Sequence, residues 1–285
     1  MRRTLLLFAL LLAALVLPAS AQAAPRIVAL TPFGANTLAK LGVKPVAVGQ
    51  TLGGRERISP KLKGVPVLPL SHPNGPNLEQ LASLDPDVVL SSPTWAKGNE
   101  SMGDLGLEVL IREPRLLRDS YAQTLKIGQL VDKAKAAKAL VKSQKKRVAL
   151  ARKEIESRPR VMVILGVGRT PFVFLSNSWG GDLVTKAGGE LLTGGVESSS
   201  GFERISDEVV VAENPDVIIA VPHAEEDDIP SLAEYLKTNP AWAGTNAVEN
   251  DRIYISVDNS LLQAGTDVPH TIRKVRGSYL DNWPG

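Results

Sequence analysis

Apolar residues gather along the chain in short runs of strand length, and segments with helical spacing separate them. The runs "RIVAL" (26–30), "PVAVG" (45–49), "DVVLS" (87–91) and "LEVLI" (107–111) predict strands in the first part of the chain. Between them, Asn36 to Leu41 and the set Leu78, Leu81, Ala82 and Leu84 have the spacing of helices. The pattern resumes after residue 160: "RVMVIL" (160–165), "DVIIAV" (216–221) and "RIYISV" (252–257) read as strands, and "GDLVTKAGG" (181–189) as a helix closed by glycines. Strands alternating with helices pack as an α/β layer around a mainly parallel sheet. The chain therefore predicts two such lobes.

Between the halves the composition changes. From Gln129 to Arg158 there is no glycine or proline, and strong helix formers dominate. Ala134, Ala137, Leu140, Val141, Val148, Ala151 and Ile155 give this stretch an apolar side. A helix from about Lys133 to Glu156 would span roughly 36 Å, close to the width of a lobe. Its basic face is that of any solvated helix, whereas a flexible hinge would be rich in Gly, Ser or Pro. The expected organisation is an N-terminal lobe over 24–118, a connecting helical segment with a strut helix over 119–158, and a C-terminal lobe over 159–285.

One pattern occurs in both halves: "EQLASLDPDVVL" from Glu79 and "EVVVAENPDVII" from Glu208. In each, a helical segment is stopped by Pro-Asp and an apolar run enters a sheet; the residue before the proline is expected to be extended. Each glutamate then sits in the first turn of its helix, where the helix dipole favours a carboxylate. Asn77 and Ser206 stand where N-caps are expected. Stabilising helix ends would account for both glutamates singly. As an equivalent pair, they would also offer matching contact points to a two-fold partner.

The first 23 residues have the charged start (Arg2, Arg3), apolar stretch (Leu5 to Leu17) and small-x-small ending (Ala21-Gln22-Ala23) of an export signal. The apolar run is shorter than the roughly 20 residues of a membrane span. Cleavage would reduce the formal charge from +3 to +1, which removes the compositional case for binding a polyanion. With no cysteine, the chain has no lipid attachment point of that kind and no disulfide, so packing must hold it together. A soluble periplasmic or secreted protein is expected.

Ligands of open α/β sheets bind beyond the carboxyl ends of the strands. That rule nominates the segments 31–36, 50–57, 71–77, 92–97, 166–172, 222–227 and 258–265. Within them Trp95 is placed either to stack on a planar ligand or to pack internally. Arg55, Arg57 and Arg169 are candidates for an anionic ligand, and Phe172 for an apolar wall or core. His72 and His223 follow strands in different halves and could oppose each other across a cleft. The acidic run at 225–228 lacks the alternation and glycine of a calcium loop. "GVGRTP" (166–171) lacks both the third glycine of a dinucleotide fingerprint and the Gly-Lys-Ser/Thr ending of a phosphate loop. No nucleophile elbow, zinc motif or cysteine supports an enzyme, although His72, His223 and the acidic run are the groups a chelate-processing enzyme would use.

From Arg26 to about Tyr279 the chain resembles the exported substrate-binding proteins of ABC importers for iron–siderophore complexes, haem and vitamin B12. The resemblance is carried by "PNLEQLASLDPDVVL", "LGLEVL", "GGDLVTKAGGELL", "FERISDEVVVAENPDVII", "AWAGTNAVENDRIYIS" and the central helix. It implies the class III binding-protein fold, with two Rossmann-like lobes joined by a single long α-helix and the ligand in the cleft between them. It also implies a monomer without cofactor that captures a siderophore- or cobalamin-type chelate, with haem as the alternative cargo. Glu79 and Glu208 fall on the positions that, in that family, pair with arginines of the permease dimer.

Overall fold

A computed structural model of the chain describes residues 24–51, 58–152, 158–224, 226–265 and 267–281. The export-signal reading of residues 1–23 therefore lies outside the described residues, as do Arg55, Arg57, Ile155 and Glu225.

The first lobe is built on β1 (Ile27–Ala29), β2 (Ala47–Gly49), β3 (Val67–Leu68), β6 (Val88–Ser91) and β7 (Glu108–Ile111), all parallel, in the order β3-β2-β1-β6-β7. A small hairpin, β4 (Leu70–Ser71) with β5 (Gly75–Pro76), lies apart from this sheet. Helices α1 (Pro32–Lys40), α2 (Leu78–Ser83) and α3 (Ala96–Asp104) connect the strands. Each expected strand run here is present; in β1, β2 and β6 its apolar residues are buried on both faces of a parallel sheet, as at Val28, Val89 and Leu90, whereas β7 is a half-exposed edge strand.

The chain leaves this lobe through α4 (Leu117–Leu130) and α5 (Ala134–Ala151), which pack against each other. Asp132, in left-handed backbone (φ 51°), makes the turn between them without glycine. The expected strut is thus α5, with Ala137, Val141, Val148 and Ala151 buried as its inner side, and α4 beside it. Gly128 of α4 faces Ala137 so closely that a Cβ there would lie 2.2 Å from the Ala137 Cβ.

The second lobe has β8 (Arg160–Val167), β9 (Thr170–Phe174), β10 (Glu190–Leu192), β11 (Phe202–Arg204), β12 (Val217–His223) and β13 (Ile253–Ile255). Its order is β11-β9-β8-β12-β13, with β10 also on β8; β8, β10, β12 and β13 are parallel, β9 pairs antiparallel with β8, and β11 pairs antiparallel with β9. Helices α6 (Trp179–Ala187), α7 (Asp207–Glu213), α8 (Ile229–Lys237), α9 (Asn246–Glu249) and α10 (Val268–Val275) complete it. Gly188, at φ 113°, closes α6 as the glycine pair ending that run predicts.

One apolar cluster runs from Ile27, Phe33 and Leu38 through Ile127, Ala137 and Val148 to Leu183, Val217 and Ile272. The two lobes and the helices between them thus share a core, and the connection is packed on both sides. No described helix is long and apolar enough to cross a membrane.

The repeated module is repeated down to its hydrogen bonds. Asp87 Oδ2 accepts from the Arg26 amide at 2.6 Å, and Asp216 Oδ2 accepts from the Arg160 amide at 2.8 Å. Each Pro-Asp therefore clamps the start of the neighbouring strand. The residues before the prolines differ from expectation: Asp85 (φ 46°) and Asn214 (φ 43°) are left-handed, not extended. Closing a helix on its last carbonyls favours that conformation, and Asn and Asp tolerate it.

Candidate functional site

A cleft of about 580 Å³ opens between the lobes. From the first lobe, the turn of the β4–β5 hairpin brings His72, the segment after β6 brings Ser92, Thr94 and Trp95, and the segment after β7 brings Glu113 and Arg115. From the second, the start of α6 brings Trp179, the loop before β11 brings Ser199 and Ser200, and the end of β12 brings His223. Leu262 to Ala264 close the side towards α10, next to a smaller cavity of about 100 Å³ lined by Asn36, Thr51 and Asp258.

Of the residues singled out in the sequence, His72, Trp95 and His223 come together in this cleft. Trp95 is only 3% exposed, packed beneath the hairpin with its ring 6.4 Å from that of His72 at 59°. Its indole is thus mostly wall, and its Nε1–H is buried without a partner. Gly98 makes this packing possible: a Cβ there would lie 2.1 Å from the Asn74 carbonyl oxygen, so only glycine lets α3 approach the hairpin. His72 is exposed and His223 half-buried, one on each lobe.

Arg169 and Phe172 go elsewhere. A tight β8–β9 turn (Val167↔Thr170) carries Arg169 out to stack on Tyr235 at 5.3 Å, and it lines a separate groove with Arg204 and Glu208. Phe172 is half-buried against the shared core. The rule that nominated them holds for parallel strands; here the strand end folds back as an antiparallel hairpin.

Sequence reasoning missed Glu113, Arg115, Trp179 and the 199–202 segment. Two signals could have found all of these but Trp179. The strand-end rule applied to β7 nominates 112–116, and "TGGVESSSG" (193–201) has the Gly/Ser punctuation of a loop. Burial raises the Glu113 carboxyl above its ordinary pKa, against the opposing hydrogen bond from Ser92. Arg115 reaches across to the second lobe, where its Nη2 donates to the Ser199 carbonyl.

The paired glutamates are both exposed, each the second residue of its helix. Asn77 caps α2 by accepting from the Gln80 amide at 2.9 Å. Ser206 occupies the N-cap of α7 but makes no capping bond. Its hydroxyl instead bonds to Glu208, which, with the Glu208 backbone, holds that carboxyl below the usual pKa.

Residues 27–258 match the periplasmic binding protein family. The chain belongs to that family. It is 28% identical over 234 residues to a cobalamin-binding protein of Halobacterium salinarum, a match covering 78% of this chain and 62% of that protein's length, which is under two thirds of that relative. It is 26% identical over 201 residues to the high-affinity heme uptake system protein IsdE of Staphylococcus aureus, covering 68% and 67% respectively. The solved structure of an ABC transporter substrate-binding protein from Listeria monocytogenes superposes with a TM-score of 0.78 at 24% identity, over 91% of this chain and all of that one. The two-lobed α/β architecture is therefore that of the class III binding proteins.

Proposed function

We propose that this periplasmic binding protein is the exported receptor of an ABC importer, and that it captures a cobalamin- or iron–siderophore-type chelate in the inter-lobe cleft for delivery to a permease. The cleft itself carries this reading: about 580 Å³, with walls contributed by both lobes and two tryptophans among its lining. That volume lies within the range of small-molecule sites, roughly 300 to 1,000 Å³. Residues 24–118 and 159–285 act as the two lobes, His72, Trp95 and His223 as ligand contacts, and Glu79 and Glu208 as docking points on a permease dimer. The protein acts as a monomer and performs no chemistry on its cargo.

One observation favours haem as a second reading: His72 and His223 line the cleft from opposite lobes, and imidazoles on two sides of a porphyrin can both reach its iron. The test is to titrate the purified protein lacking residues 1–23 with cyanocobalamin, hemin and ferric hydroxamate or catecholate siderophores, following tryptophan fluorescence. Trp95 and Trp179 report directly on the cleft. Tight binding of one chelate supports the reading, and a Soret shift with hemin, lost in His72→Ala or His223→Ala, selects haem. Failure to bind any of them removes it.

A further inference from the structure

Arg169, nominated in the sequence and turned away from the cleft, lines an open groove of about 590 Å³ together with Arg204 and Glu208. Three elements meet there: the β8–β9 turn carries Arg169, β11 ends on Arg204, and α7 carries Glu208. Both arginines are exposed, and among the described residues neither forms an ion pair, with Glu208 or with any other carboxylate. Both are nevertheless held in place. Arg169 stacks on Tyr235 of α8, and the backbone of Arg204 is fixed by the pairing of β11 with β9 (Arg204↔Phe172). Asp207, the other carboxylate of the groove, is taken up by the Trp242 indole N–H, which donates to its Oδ1 at 2.6 Å. Two unanswered cations therefore stand on rigid backbone beside the exposed Glu208. The first copy of the module has no counterpart in sequence: from Val65 to Ala96, on either side of Glu79, there is no lysine or arginine.

We propose that this groove is a second contact of the docking surface on the C-terminal lobe, in which Arg169 and Arg204 receive an acidic side chain of the permease while Glu208 meets a permease cation. The inference rests on the reading of Glu79 and Glu208 as docking points. Continuity and charge choose the occupant: the groove includes Glu208 itself, and the planar fork of a guanidinium matches a carboxylate, which it can hold by two parallel hydrogen bonds. Exposed pairs of this kind add little affinity but penalise a mismatched charge. A permease that presented cations alone would be drawn to Glu208 and repelled by the two arginines beside it, so the groove selects among permeases. Since the sequence around Glu79 carries no such cations, a two-fold partner is read by both signs of charge only at the second lobe.

The experiment replaces the native copy in the protein's own host by the wild type or by double variants in which Arg169 and Arg204 both become Glu, Gln or Lys. Uptake of radiolabelled cyanocobalamin, hemin, a ferric hydroxamate and a ferric catecholate is followed, with a deletion strain as the baseline. The purified variants are compared with the wild type in thermal unfolding and chelate titration, and both should be unchanged because neither arginine lines the cleft. The Arg169→Glu, Arg204→Glu variant should lower uptake by about tenfold or more, the Gln pair by about two- to threefold, and the Lys pair should keep most of it. The Glu pair only adds negative charge beside Glu208, so a groove that met cations alone would leave uptake unchanged or raise it. Either result would overturn the assignment, as would equal losses in the Glu, Gln and Lys pairs, which would show a demand for shape without charge. The Glu79→Arg, Glu208→Arg variant is the separate arm: failed uptake there beside wild-type uptake in the groove variants leaves the docking reading standing without the groove, and wild-type uptake in all of them removes both. A wild type that carries none of the probes would remove the importer reading and the groove with it.

Discussion

Asp258 follows β13 and ties it to α10: its Oδ2 accepts from Lys274 Nζ at 2.6 Å, and its Oδ1 accepts from the Ser260 hydroxyl at 2.7 Å. Burial alone would raise this carboxyl, but the bonds from Lys274 and Ser260 and the lysine's charge outweigh it and hold the pKa at about 2, against an ordinary 3.8. A carboxyl depressed in the folded state contributes stability above its unfolded pKa and loses it as pH falls through the folded value. Lys274→Met should therefore lower unfolding free energy by about 1–2 kcal/mol near pH 6. The gap to the wild type should close between about pH 4 and pH 2, as urea titrations across that range will show. Single residues of this kind were partly legible. His72, Trp95 and His223 could be nominated because each stands just beyond a strand, a one-dimensional property. The Arg115–Ser199 contact joins positions 84 apart through the packing of two lobes, and no local pattern encodes it. Arg169 shows the converse, since its position in the chain is as promising as that of His223 and only the β8–β9 hairpin turns it away.

The helices between the lobes meet where a side chain is missing. Gly128 of α4 lies against Ala137 of α5, and a Cβ at 128 would also sit 3.3 Å from the Lys133 carbonyl oxygen. Gly128→Ala raises helix propensity by about 1 kcal/mol, yet the steric conflict must separate the pair or bend the turn at Asp132. Overpacking of this kind costs about 1–3 kcal/mol. A net loss of about 1–2 kcal/mol in urea unfolding is expected, recovered in part by Ala137→Gly in the same chain; additive losses would show that the two positions are not coupled. β1, β2, β6, β8 and β12 were read from the sequence because burial on both faces makes them nearly continuous apolar runs. β9, β10 and β11 were not, since they are short, half-buried and mixed in direction, as the burial of Thr170, Pro171 and Phe172 shows. The start of the long helix was legible from its composition. Its last residue is Ala151, with Arg152 as the C-cap next to residues outside those described.

Because the lobes share one apolar core with α4 and α5, large hinge closure would have to break packing around Ile127, Ala137 and Val148. If α2 and α7 are the docking helices proposed above, a protein built this way presents them at nearly fixed separation whether loaded or empty, and recognition by a permease would come from where the charges stand. Glu79 and Glu208 are exposed and occupy the same helical position in the two copies of one module, and Ser206 keeps Glu208 ionised. Exposed ion pairs contribute little individually, whereas like charges forced together at an interface are strongly unfavourable. Neutralising both glutamates should therefore weaken uptake modestly. The Glu79→Arg, Glu208→Arg double variant should lower cellular uptake of the chelate by about tenfold or more, with each single reversal intermediate. Neither glutamate lines the cleft, so equilibrium binding of the chelate to the purified variant should match the wild type. Radiolabelled uptake in a host lacking the native copy separates the outcomes: intact binding with failed uptake assigns these helix tips to the permease, and wild-type uptake would move the docking surface elsewhere on the molecule.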